Sequence, residues 1–344
     1  MLEQGQWVGV DWPDRPPFIQ GLLVTSPLSA HGTTTVFHNA PATAVAEKAG
    51  LGDVIRAYVA LTKPRIIELL LVTTIPAMFL AAGGVPPLGT ALWTMLGGLF
   101  AAASANVFNC VLDRDIDEVM RRTRRRPVPR HLVSPGRATV FGAVLGVLSV
   151  VTLGFGANWL SAGLGVAANA FYVFVYTVLL KRRTSQNIVW GGIAGCFPPL
   201  IGWTAITGSI DWAPIILFLI VFFWTPPHTW ALAFRYREDY KAAEVPMLPV
   251  VMDAPGVAIR ILVYSVLTVL TSLALWPVAG TGWLYPLVAG VVGLVLLWEA
   301  FQLLGRARAG MRDAQLRPMR LFHWSNTYLA LVFVAAAIDP LFFG

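Results

Sequence analysis

The sequence predicts an all-α polytopic membrane protein with nine transmembrane helices, its N-terminus in the cytoplasm and its C-terminus outside. Three observations predict it. Hydrophobic residues make up 56% of the 344-residue chain and charged residues only 12%, far from the mix of a soluble domain. Apolar stretches of membrane-spanning length fall near 66–83, 88–110, 138–157, 161–180, 188–207, 211–232, 257–276, 283–304 and 321–343. The 25 Lys and Arg residues gather in five places: Arg15 to Arg65, Arg114 to Arg137, Lys181 to Arg183, Arg235 to Arg260, and Arg306 to Arg320. The intervening connections near 84–87, 158–161, 208–211 and 277–283 hold none, so the positive-inside rule is satisfied at every turn.

The net charge of +7 therefore reports topology before it reports a partner. Nucleic-acid binding is not expected, because the arginines hug helix ends and no nucleic-acid fold is present. A transporter would also be rich in helices, but its charged or broken-helix sites belong near the bilayer midplane. Here the acids crowd one membrane face. Cys110 and Cys196 fall on different spans with no partner spacing and are read as buried thiols.

Residues 1–53 are rich in Pro, Thr, Ala and Gly and carry no basic segment leading into an apolar core. They read as a disordered cytoplasmic tail rather than a signal peptide, with a single membrane domain over 54–344. The first span opens at Lys63-Pro64-Arg65, with proline where a helix start tolerates it. Glu68, one turn later, is a carboxylate that needs a partner or a cavity.

The second span ends in Asn109, Asp113 and Asp117, an N-x-x-x-D-x-x-x-D series that meets a dense arginine loop. Residues four apart on an α-helix advance by about 400°, so the three side chains share one face. Carboxylate and amide oxygens suit a hard cation, and Mg²⁺ is typically held by one or two carboxylates together with substrate phosphate. A Mg²⁺-diphosphate site at a membrane surface is the resulting expectation. The bland alternative is a solvated face on which acids neutralise arginines, but Asn109 continues the strip inward, where an unsatisfied amide is costly. Asp115, two residues from each carboxylate, points away and reads as a charge partner. Arg122, Arg125 and Arg126 follow, with guanidinium forks suited to phosphate oxygens.

Lys181, Arg182 and Arg183 close the fourth span, where the helix dipole favours cations. The sixth ends in Phe222-Phe-Trp-Thr-Pro-Pro-His228 and leads into a long polar segment, 233–256, in which Asp239 is flanked by Arg237 and Lys241. Acid and base clusters from both polar segments, meeting at one face, would form a two-metal clamp for a diphosphate. His228 and His323 lie towards helix ends; each is an interfacial residue unless a porphyrin is the substrate, since imidazole is a common haem ligand.

These residues resemble a family. The series Asn109-Cys-Val-Leu-Asp-Arg-Asp-Ile-Asp117, a second polar segment after the sixth span and the span count are similar to the UbiA superfamily of intramembrane prenyltransferases. Leu61-Thr-Lys-Pro-Arg65, Met120-Arg-Arg-Thr123 with Arg126-Pro127, Tyr176 with Lys181-Arg182, Phe197-Pro-Pro-Leu-Ile-Gly202, and Tyr236-Arg-Glu-Asp-Tyr240 through Pro246-Met-Leu-Pro249 look like its protohaem IX farnesyltransferases. The resemblance covers 54–343. It implies a UbiA-type bundle in the plasma membrane, with its active site at the cytoplasmic face. It also implies farnesyl transfer from farnesyl diphosphate to a vinyl carbon of haem b, with addition of water, to give haem O. The product would pass to a haem A synthase or a terminal oxidase assembly.

By the same resemblance Asn109, Asp113 and Asp117, with Asp239, carry Mg²⁺ and catalysis. Lys63, Arg65, Arg122, Arg126, Tyr176, Lys181, Arg182, Tyr236, Arg237, Tyr240, Lys241 and His228 would bind substrate. One departure stands out: the superfamily's second motif has two Asp four apart, whereas Asp239 is followed by Ala243. Arg237 or Lys241 would then supply charge in place of a second full metal site. The alternative acceptors are an aromatic acid, a quinone precursor or a chlorophyllide. A CDP-alcohol phosphotransferase is disfavoured because Asp113 is followed by Arg114 and Asp115 rather than by that family's D-G-x-x-A-R.

Overall fold

The computed structural model describes residues 50–343; the side chains of Arg65, Ile66, Glu68, Leu69 and Leu71 fall outside that description, and so do residues 1–49. The described residues are all helical or in short connections. A short α1 (Leu51–Thr62) precedes α2 (Pro64–Ala82) and α3 (Leu88–Leu112), and α4 (Arg114–Val119) continues from α3 after a break. Then come α5 (Pro135–Gly156), α6 (Trp159–Leu180), α7 (Asn187–Thr207), α8 (Trp212–Arg235), two short helices, α9 (Arg237–Ala242) and α10 (Leu248–Val251), and finally α11 (Ala254–Ala279), α12 (Leu284–Arg308) and α13 (Pro318–Phe343).

Eight helices, α3, α5 to α8 and α11 to α13, are long and apolar enough to cross a membrane. Their ends follow from local chemistry. Proline opens α2, α11 and α13 in the first turn, where its missing N–H costs nothing, and left-handed Gly83, Gly208 and Gly280 close α2, α7 and α11. Ser134 caps α5 by accepting from the Arg137 amide at 3.4 Å, which starts that helix ahead of the apolar run. Trp159, Trp212 and Trp283 stand exposed where α6, α8 and α12 begin, as in an interfacial aromatic belt.

In lipid, helices associate through close packing and polar bonds, because apolar surface gains little by leaving apolar surroundings. The α3–α5 pair shows how this sequence does it. Ser104 of α3 donates to the Gly142 carbonyl of α5 at 2.8 Å, and Ser149 of α5 donates to the Gly97 carbonyl of α3 at the same distance. A Cβ on Gly97 would stand 2.6 Å from Leu153, so only glycine allows this approach. Elsewhere α8 packs on α11, α11 on α12 and α12 on α13, while α13 also packs against α2 and α8.

Two elements escaped the sequence reading. The expected tail boundary at residue 53 falls inside α1, which packs Ala57 and Leu61 towards α3; with 12 residues, α1 is too short to register as a span. The second half of α6, Phe171–Leu180, is wound as a π-helix, and α7 contains a 3₁₀ turn at Gly192–Cys196. The π-helix lies beside the polar strip, where its Thr177 accepts from Asn109 at 3.1 Å.

Candidate active site

The strip forms where α3 ends. Asp113, at φ −93° and ψ 10°, breaks the helix, so Asn109, Asp113 and Asp117 do not lie on one unbroken α-helix as expected. Their spacing survives because the Asp113 amide still donates to the Asn109 carbonyl at 2.9 Å and the Asp117 amide to the Asp113 carbonyl at 2.8 Å. All three side chains are buried, Asp113 completely. Buried carboxylates require partners.

Four cations from three places in the chain surround the strip. Lys181, one residue past the π-helix, donates to Asp113 Oδ2 at 2.5 Å. Arg126 donates from a single nitrogen to both oxygens of Asp117, at 2.7 and 2.8 Å. Lys63 donates to Asn109 Oδ1 at 2.6 Å, while the Asn109 amide nitrogen donates to Asp113 at 2.7 Å and to Thr177 at 3.1 Å. Arg182 stands 3.8 Å from Asp113 Oδ1 but is engaged chiefly by Asp115, at 2.6 and 2.8 Å. Asp115 thus faces outward, as its spacing predicts, and the Arg182 hydrogen bonds hold its carboxyl down at about 2.

Lys63 joins α1 to α2 in a left-handed conformation, φ 53°, a geometry that costs a non-glycine residue about 1–2 kcal/mol. Burial lowers its ammonium to about 8. The strain and the depressed basicity fall on the residue that α1 delivers to the strip.

Three close cations, Lys63, Arg126 and Lys181, face two carboxylates, Asp113 and Asp117, so the site carries a surplus of positive charge. Asp113 Oδ1 is buried and has no hydrogen-bond donor. An orphaned carboxylate oxygen beside amide and carboxylate oxygens suits a hard divalent cation, and the surplus suits a polyanion. Among the described residues, no three His, Cys, Asp or Glu side chains gather as a metal-ligand set. The oxygen donors at this place are two acids and one amide.

The second polar segment approaches through aromatic residues. The Arg122 guanidinium lies 5.5 Å from the centroid of the Tyr236 ring, tying the arginine loop to the end of α8. Asp239 and Arg237, on α9, line a cleft of about 810 Å³ with Arg122, and no ion pair or hydrogen bond joins Asp239 to the strip among the described residues. Lys241 is exposed, Tyr240 partly buried, and the Tyr240 carbonyl accepts from the Val245 amide at 3.0 Å. The side chains of Arg65 and Glu68 fall outside the described residues.

The π-helix positions the remaining groups. Its wider turn sets the Tyr172 and Tyr176 rings side by side at a 32° tilt, centroids 5.4 Å apart, and turns Thr177 towards Asn109. Below the strip, a cavity of about 170 Å³ runs between α2, α3, α6 and α7, lined by small or apolar residues such as Gly98, Ala101, Ala105 and Phe197, with Asn106 and Tyr172 among its walls. Asn106 lies one turn from Asn109 and donates to the Thr62 carbonyl at 2.9 Å. A second cavity, of about 280 Å³, shares Tyr172 with the first and extends past Tyr176 to Trp224. Thr177 and Asn106 were not foreseen; their spacings of four and three residues from Lys181 and Asn109 were the available signals.

His228 lies two turns inside α8, not at its end. It is stacked between Trp224 and Phe322, with centroids 4.2 and 4.5 Å away, and bonded to Ser325 at 2.9 Å. His323 is exposed.

Fold and strip together define an integral-membrane enzyme of the prenyltransferase class. Residues 70–326 match the UbiA prenyltransferase family, and the chain belongs to that family. It is 70% identical over 289 residues to a protoheme IX farnesyltransferase of Cutibacterium acnes, covering 84% of this chain and 86% of that one. It is 63% identical over 300 residues to the protoheme IX farnesyltransferase of a Nocardioides species, covering 87% and 96%. Among solved structures, one of a digeranylgeranylglyceryl phosphate synthase matches with a TM-score of 0.70 at 18% identity, over 84% of this chain and 99% of that one. A UbiA homologue from Archaeoglobus fulgidus bound to DMAPP and Mg²⁺ matches with a TM-score of 0.55 at 17% identity, over 82% and 99%. These structures share the fold.

Proposed function

We infer that the chain transfers the farnesyl group of farnesyl diphosphate to a vinyl group of haem b, with addition of water, to give haem O and diphosphate. The relatives at 70% and 63% identity, both protoheme IX farnesyltransferases, support that choice of substrates. One observation carries the chemistry: a cation-surplus oxygen strip, Asn109, Asp113 and Asp117, stands one helical turn from Asn106, which lines an apolar slot. A farnesyl diphosphate has the same two parts.

Asn109, Asp113 and Asp117 would hold Mg²⁺, the ion bound with DMAPP in the Archaeoglobus homologue. The ion supplies positive charge to the diphosphate as the allylic C–O bond breaks. The remaining work falls to the chain's own groups. Lys63, Lys181 and Arg126 exchange part of their bonding from the strip to diphosphate oxygens, and Arg182 and Arg122 extend the cationic surface outward. The bond breaks with its electron pair leaving on the diphosphate, and the slot keeps water from the allylic cation. The haem vinyl group then attacks that carbon, and the resulting cation takes hydroxide from water, which releases one proton. Tyr172, which lines both cavities, and Tyr176, which lines the second, would face the reacting carbons. Asp239 serves as a charged wall of the outer cleft.

The topology extends the same reading. Counting α2 as a span gives nine, with the strip and the arginine-rich connections at the cytoplasmic face of the plasma membrane and the C-terminus outside. Residues 54–344 form one membrane domain behind a cytoplasmic tail, and haem O passes to a haem A synthase or a terminal oxidase.

The test is direct. Purified protein in liposomes, given haem b, farnesyl diphosphate and Mg²⁺, should yield a haem heavier by one farnesyl and one hydroxyl group in mass spectrometry. Farnesyl diphosphate consumed only with an aromatic acid or quinone precursor, and never with haem, would overturn the assignment.

A further inference from the structure

One half-buried group remains unused: the imidazole of His228. Its Nδ1 lies 2.9 Å from the Ser325 hydroxyl oxygen, and that hydroxyl donates to the Phe322 carbonyl at 2.8 Å. A serine hydroxyl has one proton, and a carbonyl only accepts. With the serine proton directed to Phe322, the proton between Ser325 and His228 belongs to Nδ1. Nε2 is then unprotonated, and it has no hydrogen-bond partner among the described residues. The ring is held in place by its stack between Trp224 and Phe322, and Trp224 is itself fixed by donating to the Ser325 carbonyl at 2.7 Å. Such an imidazole is arranged as a Lewis base, not as an acid.

The same two helices lead from His228 to the basic cleft. Arg235 is seven residues on from His228 along α8, which places it on the same helix face about 10 Å nearer the end. On α13, Pro318 lies one turn before Phe322, next to Arg317. Arg235, Arg317 and Pro318 line the 810 Å³ cleft, whose walls carry five arginines against three carboxylates. The surplus matches two anionic groups. Along α8 the basic residue Arg235 of the cleft is thus followed, two turns deeper, by the stacked, unprotonated imidazole.

We propose that this α8–α13 face docks the iron porphyrin, with His228 Nε2 as an axial ligand to the iron and Arg235 and Arg317 pairing with the propionates. The proposal rests on the reading of haem as acceptor. Ligation uses the existing Nε2 lone pair, so no proton is released. Ser325 is a positioning residue that sets the tautomer.

The experiment titrates ferric haem b into the purified full-length protein in detergent and records the absorption spectrum. The wild-type protein should give a nitrogen-ligated haem spectrum. His228→Ala should lose that spectrum and regain it with added imidazole, and Ser325→Ala should weaken haem binding several-fold. Metal-free protoporphyrin IX should bind wild type and His228→Ala equally, at least tenfold more weakly than haem binds wild type. Arg235→Gln with Arg317→Gln should weaken binding of both porphyrins and leave haem dimethyl ester unaffected. A wild-type spectrum without nitrogen ligation overturns the proposal whether or not the variants fold, as does an unchanged spectrum in His228→Ala. If wild type still farnesylates haem in those cases, only the ligation has failed. If wild type neither binds nor farnesylates haem while consuming farnesyl diphosphate with another acceptor, the acceptor assignment has failed with it.

Discussion

Lys63 reaches across 46 positions of sequence to donate to the Asn109 side chain at 2.6 Å, and it does so from a strained, left-handed junction between α1 and α2. The bond couples the short α1 to the first member of the polar strip. Because burial lowers the ammonium to about 8, Lys63 loses its charge within an accessible pH range. The dependence of kcat/KM on pH reports groups of the free enzyme. With farnesyl diphosphate as the varied substrate, kcat/KM should fall as pH rises through about 8, because the neutral amine attracts the diphosphate less. Lys63→Arg should shift that limb out of the measurable range, since guanidinium stays charged. A limb that stays at the same pH in Lys63→Arg would assign it to another group. For stability the sign is opposite. The folded-state value lies below the unfolded one, so between about pH 8 and 10 the unfolded chain binds more protons and this residue's contribution rises with pH.

The two carboxylates carry different loads. Asp113 is paired with Lys181 and has one oxygen without a donor, whereas both oxygens of Asp117 are held by Arg126. Removing either acid leaves a cation without its partner, which for a buried pair costs about 3–5 kcal/mol. Asp113→Asn and Asp117→Asn should each lower farnesyl transfer by about 100-fold or more while the protein remains in the membrane. Function and pairing can then be separated. Asp113→Asn with Lys181→Met removes both charges of one pair and should recover thermal stability without recovering transfer. If the double variant regains activity, Asp113 serves only to neutralise Lys181.

Eight of the apolar stretches read from the sequence fall on the eight long apolar helices, and their ends agree within about one turn. Hydropathy is a one-dimensional property, so it survives without knowledge of neighbours. The acidic strip was legible for a similar reason: the i, i+4 hydrogen bonds persist through the break at Asp113. What escaped depends on pairing. A π turn changes which carbonyl an amide finds but leaves no periodic mark on ten apolar residues, so Thr177 and the Tyr172–Tyr176 pair could not be placed. Partners such as Lys63 for Asn109, or Ser325 for His228, are set by helix packing alone. The weak second motif was legible as a departure from the family pattern, and its Asp239 lines the outer cleft.

The α3–α5 crossing offers a stability test far from the chemistry. A Cβ at Gly97 would press on both the side chain and the backbone of Leu153, whereas at Gly89, near the start of the same helix, it would meet nothing within 4 Å. Gly97→Ala should destabilise the protein by about 1–3 kcal/mol, the usual penalty for overpacking. Gly89→Ala should leave it unchanged or slightly more stable, since alanine favours the helix. Adding Leu153→Ala to Gly97→Ala should return part of the loss, giving a non-additive double-mutant cycle. Thermal unfolding in detergent reads the wild type, Gly89→Ala, Gly97→Ala, Leu153→Ala and the double variant. Additivity would place the strain elsewhere.

The slot beneath the strip predicts chain-length selection. Gly98 and Ala101 lie on its α3 wall, and nothing stands within 4 Å of a Cβ at Gly98, so a larger side chain there would project into free space without disturbing the fold. Gly98→Leu should therefore raise KM for farnesyl diphosphate about tenfold, as expected when roughly 1.4 kcal/mol of apolar contact is lost. Geranyl diphosphate, one isoprene unit shorter, should be affected much less. The substitution leaves the diphosphate contacts of Lys63, Lys181 and Arg126 intact, so the two substrates differ only in what lies below Asn106. A competition assay with equal amounts of both diphosphates reads the preference from the masses of the products. Equal loss for both substrates would place the prenyl chain outside this slot.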